Sequence, residues 1–284
     1  TERETPMCIF ADRAQAAATT LYMGLARHPE TGKAVHVMGY QNTVENQAPG
    51  PNAMILHLQA KAPITEANFI DSEACPKVLQ DMVDTLENRG SRSFSFSIGG
   101  DDETPGVRVF EHGIYTVVAA DNAALIPAAL ARVPANRRPA LQDELYAFFA
   151  KEVGWPVILC CFDTKDAARA TPILVWYEPI DADRLIAPAI DCHTGGAPDM
   201  NADVEVDHWV IAGYQGEGRQ NGETVDYSDA IPAHVQPFLP QWIIGYKAEG
   251  VMPNGDFTIT RKNLEQGYAG RIERWLPGTC GTAA

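Results

Sequence analysis

The chain lacks the signatures that most often name a reaction. It contains no phosphate-binding GxxxxGKS/T, no GxGxxG between strand and helix, no GxSxG elbow and no HExxH. This removes the usual forms of P-loop and dinucleotide binding, of α/β-hydrolase chemistry and of zincin chemistry. Six cysteines (Cys8, Cys75, Cys160, Cys161, Cys192, Cys280) are scattered without a CxxC pair, so zinc-ribbon and thioredoxin-type readings have no support. No run approaches the roughly eighteen apolar residues that cross a bilayer. The opening TERETPMCIFADRAQ has no basic-then-apolar signal pattern, and a start at Thr1 fits a cytoplasmic protein that has lost its initiator methionine. Basic residues are scarce: 22 Lys and Arg face 37 Asp and Glu, a formal charge of −15. Such a charge is repelled by nucleic-acid phosphates and anionic membrane surfaces, so neither is an expected partner.

What is present is an ordinary globular composition, with 45% apolar residues in a chain of 284, long enough for one large domain or two halves. Period-two patterns predict strands in AATTLYMGLARH and KAVHVMGYQ, joined by the turn His28-Pro29-Glu30-Thr31-Gly32. AMILHLQA reads as a buried strand in which His57 is a hydrogen-bonded sheet residue. Residues 76–88 carry the clearest helix signal, with Pro76 in the first turn and Val78, Leu79, Met82, Val83 and Leu86 on one stripe. Phe94, Phe96 and Ile98 alternate with serines as in a strand, followed by an acidic glycine-rich loop. VRVFEHGIYTVVAA predicts a hairpin across Glu111-His112-Gly113, and 121–132 and 139–153 predict helices. From Trp155 onward the chain is strand-rich, through PVILCCFD, TPILVWYEP, IAPAIDCH, VEVDHWVIAGY, QWIIGYKAE and DFTITRK, and it frays past Leu276. The expected class is α+β, strand-rich, with about three helices.

An internal echo adds to this. Each part of the chain offers an apolar strand, a polar loop, a Pro-led apolar strand, then Ile-Asp and a nearby cysteine (Ile70, Asp71, Cys75; Ile190, Asp191, Cys192). This suits two pseudo-symmetric β-rich halves, 1–120 with one helix and 121–284 with a helical connection; chance likeness within a single domain explains it as well. On Met7-Cys8, Ala53-Met54-Ile55-Leu56, Phe69-Ile70-Asp71 and the loop at His193, the first two thirds of the chain resembles a loosely defined family of uncharacterised bacterial proteins. That family has no established activity, so the resemblance transfers no catalytic residue and only draws attention to Cys8 and His193.

The densest run of chemistry-bearing side chains is DCHTGGAPDMNADVEVDHW, and 191–229 as a whole holds nine acids against Arg219 alone. Oxygen-rich glycine loops hold hard divalent cations, though this spacing matches no EF-hand and a solvated acidic loop explains it too. If 204–211 is a strand, Val204, Val206, His208 and Val210 share one face and Glu205, Asp207, Trp209 and Ile211 the other. His208 then lies on an apolar face, as a core histidine does. Asp191 and His193 project together, so that Asp191 can orient the His193 ring, before the open turn Thr194-Gly195-Gly196. Two hydrolytic readings follow. In one, His193, His208 and Asp207 hold a divalent metal that activates water. In the other, Cys8 is a nucleophile with His193 its base and Asp191 the orienter, Cys192 being a weaker candidate that points away. The third reading is a non-catalytic binding, assembly or structural protein acting as a homo-oligomer.

Overall fold

The computed structural model describes residues 9–88, 106–163, 171–192, 195–215 and 221–276. Cys8, His193, Thr194, Arg219, Cys280, the strand expected around Phe94 and the tail past Leu276 lie outside them. Among the described residues the chain forms β1 (Ala14–Arg27), β2 (Ala34–Asn46), β3 (Asn52–His57), α1 (Val78–Asn88), β4 (Val107–His112), β5 (Tyr115–Ala120), α2 (Ile126–Ala129) and α3 (Asp143–Phe148). There follow β6 (Val157–Phe162), β7 (Ile173–Tyr177), β8 (Arg184–Ala187), β9 (Asp203–Tyr214), β10 (Glu223–Thr224), β11 (Trp242–Pro253), β12 (Asp256–Thr260), α4 (Arg261–Glu265) and β13 (Glu273–Trp275). The class is α+β with strand predominant. No helix among the described residues is long and apolar enough to cross a membrane.

Three sheets result: β10-β11-β9-β1-β2-β7, β3-β6-β5-β4 and β13-β12-β8. Both larger sheets draw strands from the first 120 residues and from the rest. Most neighbours are antiparallel, but β1 and β9 run parallel, pairing Thr19 with His208 through Leu25 with Tyr214. The hairpin of β1 and β2 carries a bulge where its register shifts between Ala17 and Thr20, and Ala18 there has φ +52°.

Period-two alternation is what stacks these sheets. In β6, Ile158, Cys160 and Phe162 enter the central core, whereas Val157, Leu159 and Cys161 enter a second core roofed by 123–153. The same split in β9 sends Val206, Val210 and Ala212 to the central core and Ile211 outward under α1 and residues 225–239. Strands buried on both faces read as continuous apolar runs, which is how VILCCF and ILVWY look. The helical roof is less regular than its sequence suggests. Pro127, in the first turn of α2, is flanked by 3-10 turns at Ala123–Leu125 and Leu130–Arg132. After α3 the chain widens into a π-type turn over Phe149–Val153 and stops at Gly154, φ +70°.

One polar contact ties the four-stranded sheet to the three-stranded sheet. His57 closes β3 and Asp256 opens β12, and His57 Nε2 lies 2.7 Å from Asp256 Oδ2 with both side chains fully buried. The other carboxylate oxygen, Oδ1, accepts from the amides of Ala189 (2.9 Å) and Ile190 (3.2 Å). Aromatic rings seal the pair: Phe149 and Trp155 flank the imidazole, and Trp155 stacks on Trp275 with centroids 5.5 Å apart. A buried pair loses far more when one partner is removed than when both are replaced. Asp256→Ala should therefore cost roughly 3–5 kcal/mol, read from urea unfolding. The His57→Ala/Asp256→Ala double variant should lose clearly less than the sum of the two single losses. Additive losses would show that the two side chains are not coupled.

Candidate functional site

The loop that begins at Asp191 is positioned by side chains on one flank and by a backbone bridge on the other. Asn254, buried in the β11–β12 turn, accepts from the Asp191 amide through Oδ1 (2.8 Å) and donates through Nδ2 to the carbonyls of Asp191 (2.9 Å) and Asp199 (3.1 Å). On the other side a short ribbon of the N-terminal segment runs alongside. Ile9 forms a parallel bridge with Cys192, Phe10 N donates to Cys192 O at 3.0 Å, and Ala11 N donates to Ala53 O. Gly195 (φ +79°) closes against this ribbon, for a Cβ there would stand 2.6 Å from the Ala11 carbonyl oxygen. Segments 183 positions apart, one following Cys8 and the other preceding His193, are thus in direct contact.

Of the candidate residues, the structure brings Asp191 and His208 into one electrostatic neighbourhood, together with Arg274, which the sequence did not single out. Asp191 is 8% exposed, and His208 is 3% exposed on the core face of β9. The His208 pKa is lowered to about 4, chiefly by burial and in smaller part by Arg274, against a backbone hydrogen bond at Asp207 and the charges of Asp191 and Asp207. Arg274 lies over the Phe257 ring, 4.6 Å from its centroid, and donates through Nε to Pro253 O at 2.9 Å. Its two terminal nitrogens are buried with no hydrogen-bond partner among the described residues. Desolvation brings its pKa down to about 10 despite Asp256 and Asp191. Asp207 and His208, by contrast, are not brought together. As neighbours in a regular strand they project to opposite faces, and Asp207 is half-exposed and pairs with Lys247 at 2.9 Å. Among the described residues no three His, Cys, Asp or Glu side chains converge on a point. Cys192 turns into the apolar core under the helical roof and donates to Gly196 O, while Cys75, Cys160 and Cys161 are buried thiols whose pKa values burial pushes up, to about 12 for Cys75.

A second feature, which the sequence left as an ordinary strand, lies at the rim of the six-stranded sheet. β11 pairs with β9 over twelve consecutive positions, Trp242↔Tyr214 to Pro253↔Asp203, without a register shift. On its other side β10 reaches only Trp242 and Ile243. Beyond that point no strand pairs with this side of β11 among the described residues; 266–269 line the space beside its start, and Arg274 reaches the Pro253 carbonyl at its end. The Gln241 carbonyl accepts from Val225 N on that side. Strand alternation then turns the N–H and C=O groups of Gly245, Lys247, Glu249 and Val251 the same way. Their side chains share the outer face with Trp209, while Ile244 and Ala248 enter the central core. A groove of about 690 Å³ follows the start of this edge, lined by Leu86, Trp209, Gly222, Gly245, Lys247 and Tyr268. Glycine is required at position 245, since a Cβ would stand 2.6 Å from the Val210 carbonyl oxygen.

No protein-family model matches the chain, and no curated protein matches it in sequence. Among solved structures it is similar to baculovirus P35, at 13% identity and a TM-score of 0.42 over 90% of this chain and 92% of that one. It is also similar to a mutated baculovirus P35 after caspase cleavage, at 11% identity and a TM-score of 0.41 over 88% and 92%. Likenesses at that level carry no functional argument, and the chemistry must be read from this chain's own residues.

The buried histidines make stability depend on pH. Burial lowers both His36 and His208 to about 4, whereas an unfolded histidine titrates near 6.5. As pH falls between those values, the unfolded chain takes up protons that the native chain refuses, so stability is full above about 6.5 and is lost toward 4. Each histidine contributes up to about 1.4 kcal/mol per pH unit in that window. Urea titrations from neutral pH to pH ~4 should show the fall, and His208→Gln should flatten it. An unchanged slope in that variant would remove His208 as a cause.

Proposed function

We propose that the protein is a non-catalytic binding and assembly component, working as a homo-oligomer or partner platform, whose contact surface is the open edge of its six-stranded sheet. The observation that carries this reading is the side of β11 that no strand among the described residues pairs, where a regular row of backbone donors and acceptors faces a groove. Such a row is a template for one more strand: main-chain hydrogen bonds supply affinity, and side chains at alternate positions supply specificity. Soluble, acidic surroundings suit it, since the charge of −15 disfavours phosphate-rich partners. A reducing, cytoplasmic compartment belongs to the same proposal, supported by the buried thiols of Cys75, Cys160 and Cys161.

Hydrogen exchange tests the reading. The amides of Gly245, Lys247, Glu249 and Val251 should exchange fast in dilute protein. They should become protected as protein concentration rises, or when a short extended peptide of alternating valine and threonine is added. Glu249→Pro should abolish that protection and leave the pairing with β9 intact, because the N–H it removes faces the edge. Amides that remain fast under both conditions would sink the reading.

A second reading is favoured by the Ile9–Cys192 bridge and by the way Asn254 holds Asp191. These contacts join the segments that carry Cys8 and His193, and so support a polar ligand or divalent-metal site around His193 with hydrolytic chemistry. His193→Ala should then abolish zinc or manganese binding measured by equilibrium dialysis. Metal uptake that is absent in the parent protein, or unchanged in the variant, would dismiss the metal-dependent form.

A further inference from the structure

We infer that the strand which completes the open edge is β11 of a second copy of this chain, running antiparallel about a two-fold axis at Ala248. The inference rests on the assembly reading above and names its partner. A two-fold pairing at Ala248 sets Lys247 opposite Glu249 of the second copy, and Glu249 opposite its Lys247. Both residues are on the edge-facing set of positions, so each would form the hydrogen-bonded type of antiparallel pair, with Ala248 facing its own copy as a non-hydrogen-bonded pair. Oppositely charged residues directly across an antiparallel pair are favourable and like charges are not. Lys247 already lies in a carboxylate-rich setting, 2.6 Å from Glu249 and 2.9 Å from Asp207 of its own chain, and both contacts are reached by solvent.

Shape supplies an independent reason. The same register sets Val251 opposite Gly245 of the second copy. Val251 is the most exposed large apolar side chain among the described residues, at 71%. Gly245 has no side chain, and the groove beside it is walled by Leu86 and Trp209 on the same outer face. A valine there would stand across from a glycine whose outer face is covered by Leu86, extending that apolar wall, and the contact occurs twice by symmetry. Gly250 (φ +99°) bends the strand between Glu249 and Val251 without shifting its register, so both pairs keep their face. The two sheets would join into one, and both open edges would disappear.

Sedimentation velocity over a concentration series, at physiological salt, tests this. The parent chain should self-associate to twice its monomer mass. Lys247→Glu and Glu249→Lys each place like charges across the axis twice, and each should weaken association about tenfold. Mixed in equal amounts, the two single variants should associate with each other, because every cross-axis pair is again of opposite sign. The double variant Lys247→Glu/Glu249→Lys should associate alone, and it also moves an ammonium directly across from Asp207, the β9 partner of position 249. Both positions are exposed, and near-ultraviolet circular dichroism confirms that the variants are folded. A parent chain that stays monomeric overturns the inference, as does a dimer indifferent to the charge changes. Should the monomeric chain still have its edge amides protected by the extended peptide, the assembly reading survives and only the self-pairing falls.

Discussion

The arrangement of the molecule depends on one buried carboxylate. Asp256 accepts from two successive amides with one oxygen and meets His57 with the other, with no solvent to help. Burying a carboxylate is tolerable only when each of its oxygens is satisfied. Three segments are therefore fixed relative to one another: the end of β3, the start of β12 and the stretch at 189–190. Two residues earlier in the chain, Asn254 extends the same principle by gripping Asp191 through both its amide and its carbonyl. Gly255 between them passes so close to Trp275 that a Cβ would lie 2.6 Å from its carbonyl oxygen. The stretch from Ala189 to Asp191 is held by this small set of side chains, and the N-terminal ribbon is in turn held against Cys192 and Ala53 by backbone hydrogen bonds.

Local structure was legible where one face or both faces of an element are buried. The helix expected at 76–88 forms over Val78–Asn88, and the strands around Val35, Ile158, Val175 and Val206 lie where alternation or apolar runs put them. The hairpin in VRVFEHGIYTVVAA pairs His112 with Tyr115, so its turn falls at Gly113 and Ile114, later than the expected Glu111-His112-Gly113, because Glu111 and His112 remain paired. Alternation says which face a residue takes but not which strand lies beside it. Hence the parallel pairing of β1 with β9 and the sharing of both large sheets between distant parts of the chain were not readable. The same blindness applies to edges: QWIIGYKAE looks identical whether its strand has one neighbour or two.

The site was legible only in part, and for a related reason. His57 was readable as a hydrogen-bonded sheet residue, but its partner is 199 positions away and belongs to another sheet. The acidic density of 191–229 does not persist in space. Asp191 is buried beside His208 and Arg274, Asp207 faces outward to Lys247, and Asp229 accepts from the Lys77 amide near the start of α1. Residues close in sequence are separated because a strand alternates and a loop turns. Asn254, which grips Asp191, and Arg274, whose charge is felt there, stand in segments whose composition gave no hint of it.

Edge strands in monomeric proteins are commonly blunted by charge, lysine above all. A single sign repeated along the edge protects against every partner, including a second copy. β11 instead carries opposite signs two positions apart, at Lys247 and Glu249, both on the edge-facing set. That arrangement is self-complementary in one antiparallel register and penalised in the adjacent in-phase registers, which bring lysine to lysine or glutamate to glutamate. Parallel addition of a second copy in register is penalised as well, since it stacks like on like. Charge at this edge therefore excludes most strands while admitting one, and the groove beside Gly245 adds a shape requirement that an arbitrary strand does not meet. Protection and recognition need not be separate features of a sheet edge when the protecting charges are of both signs.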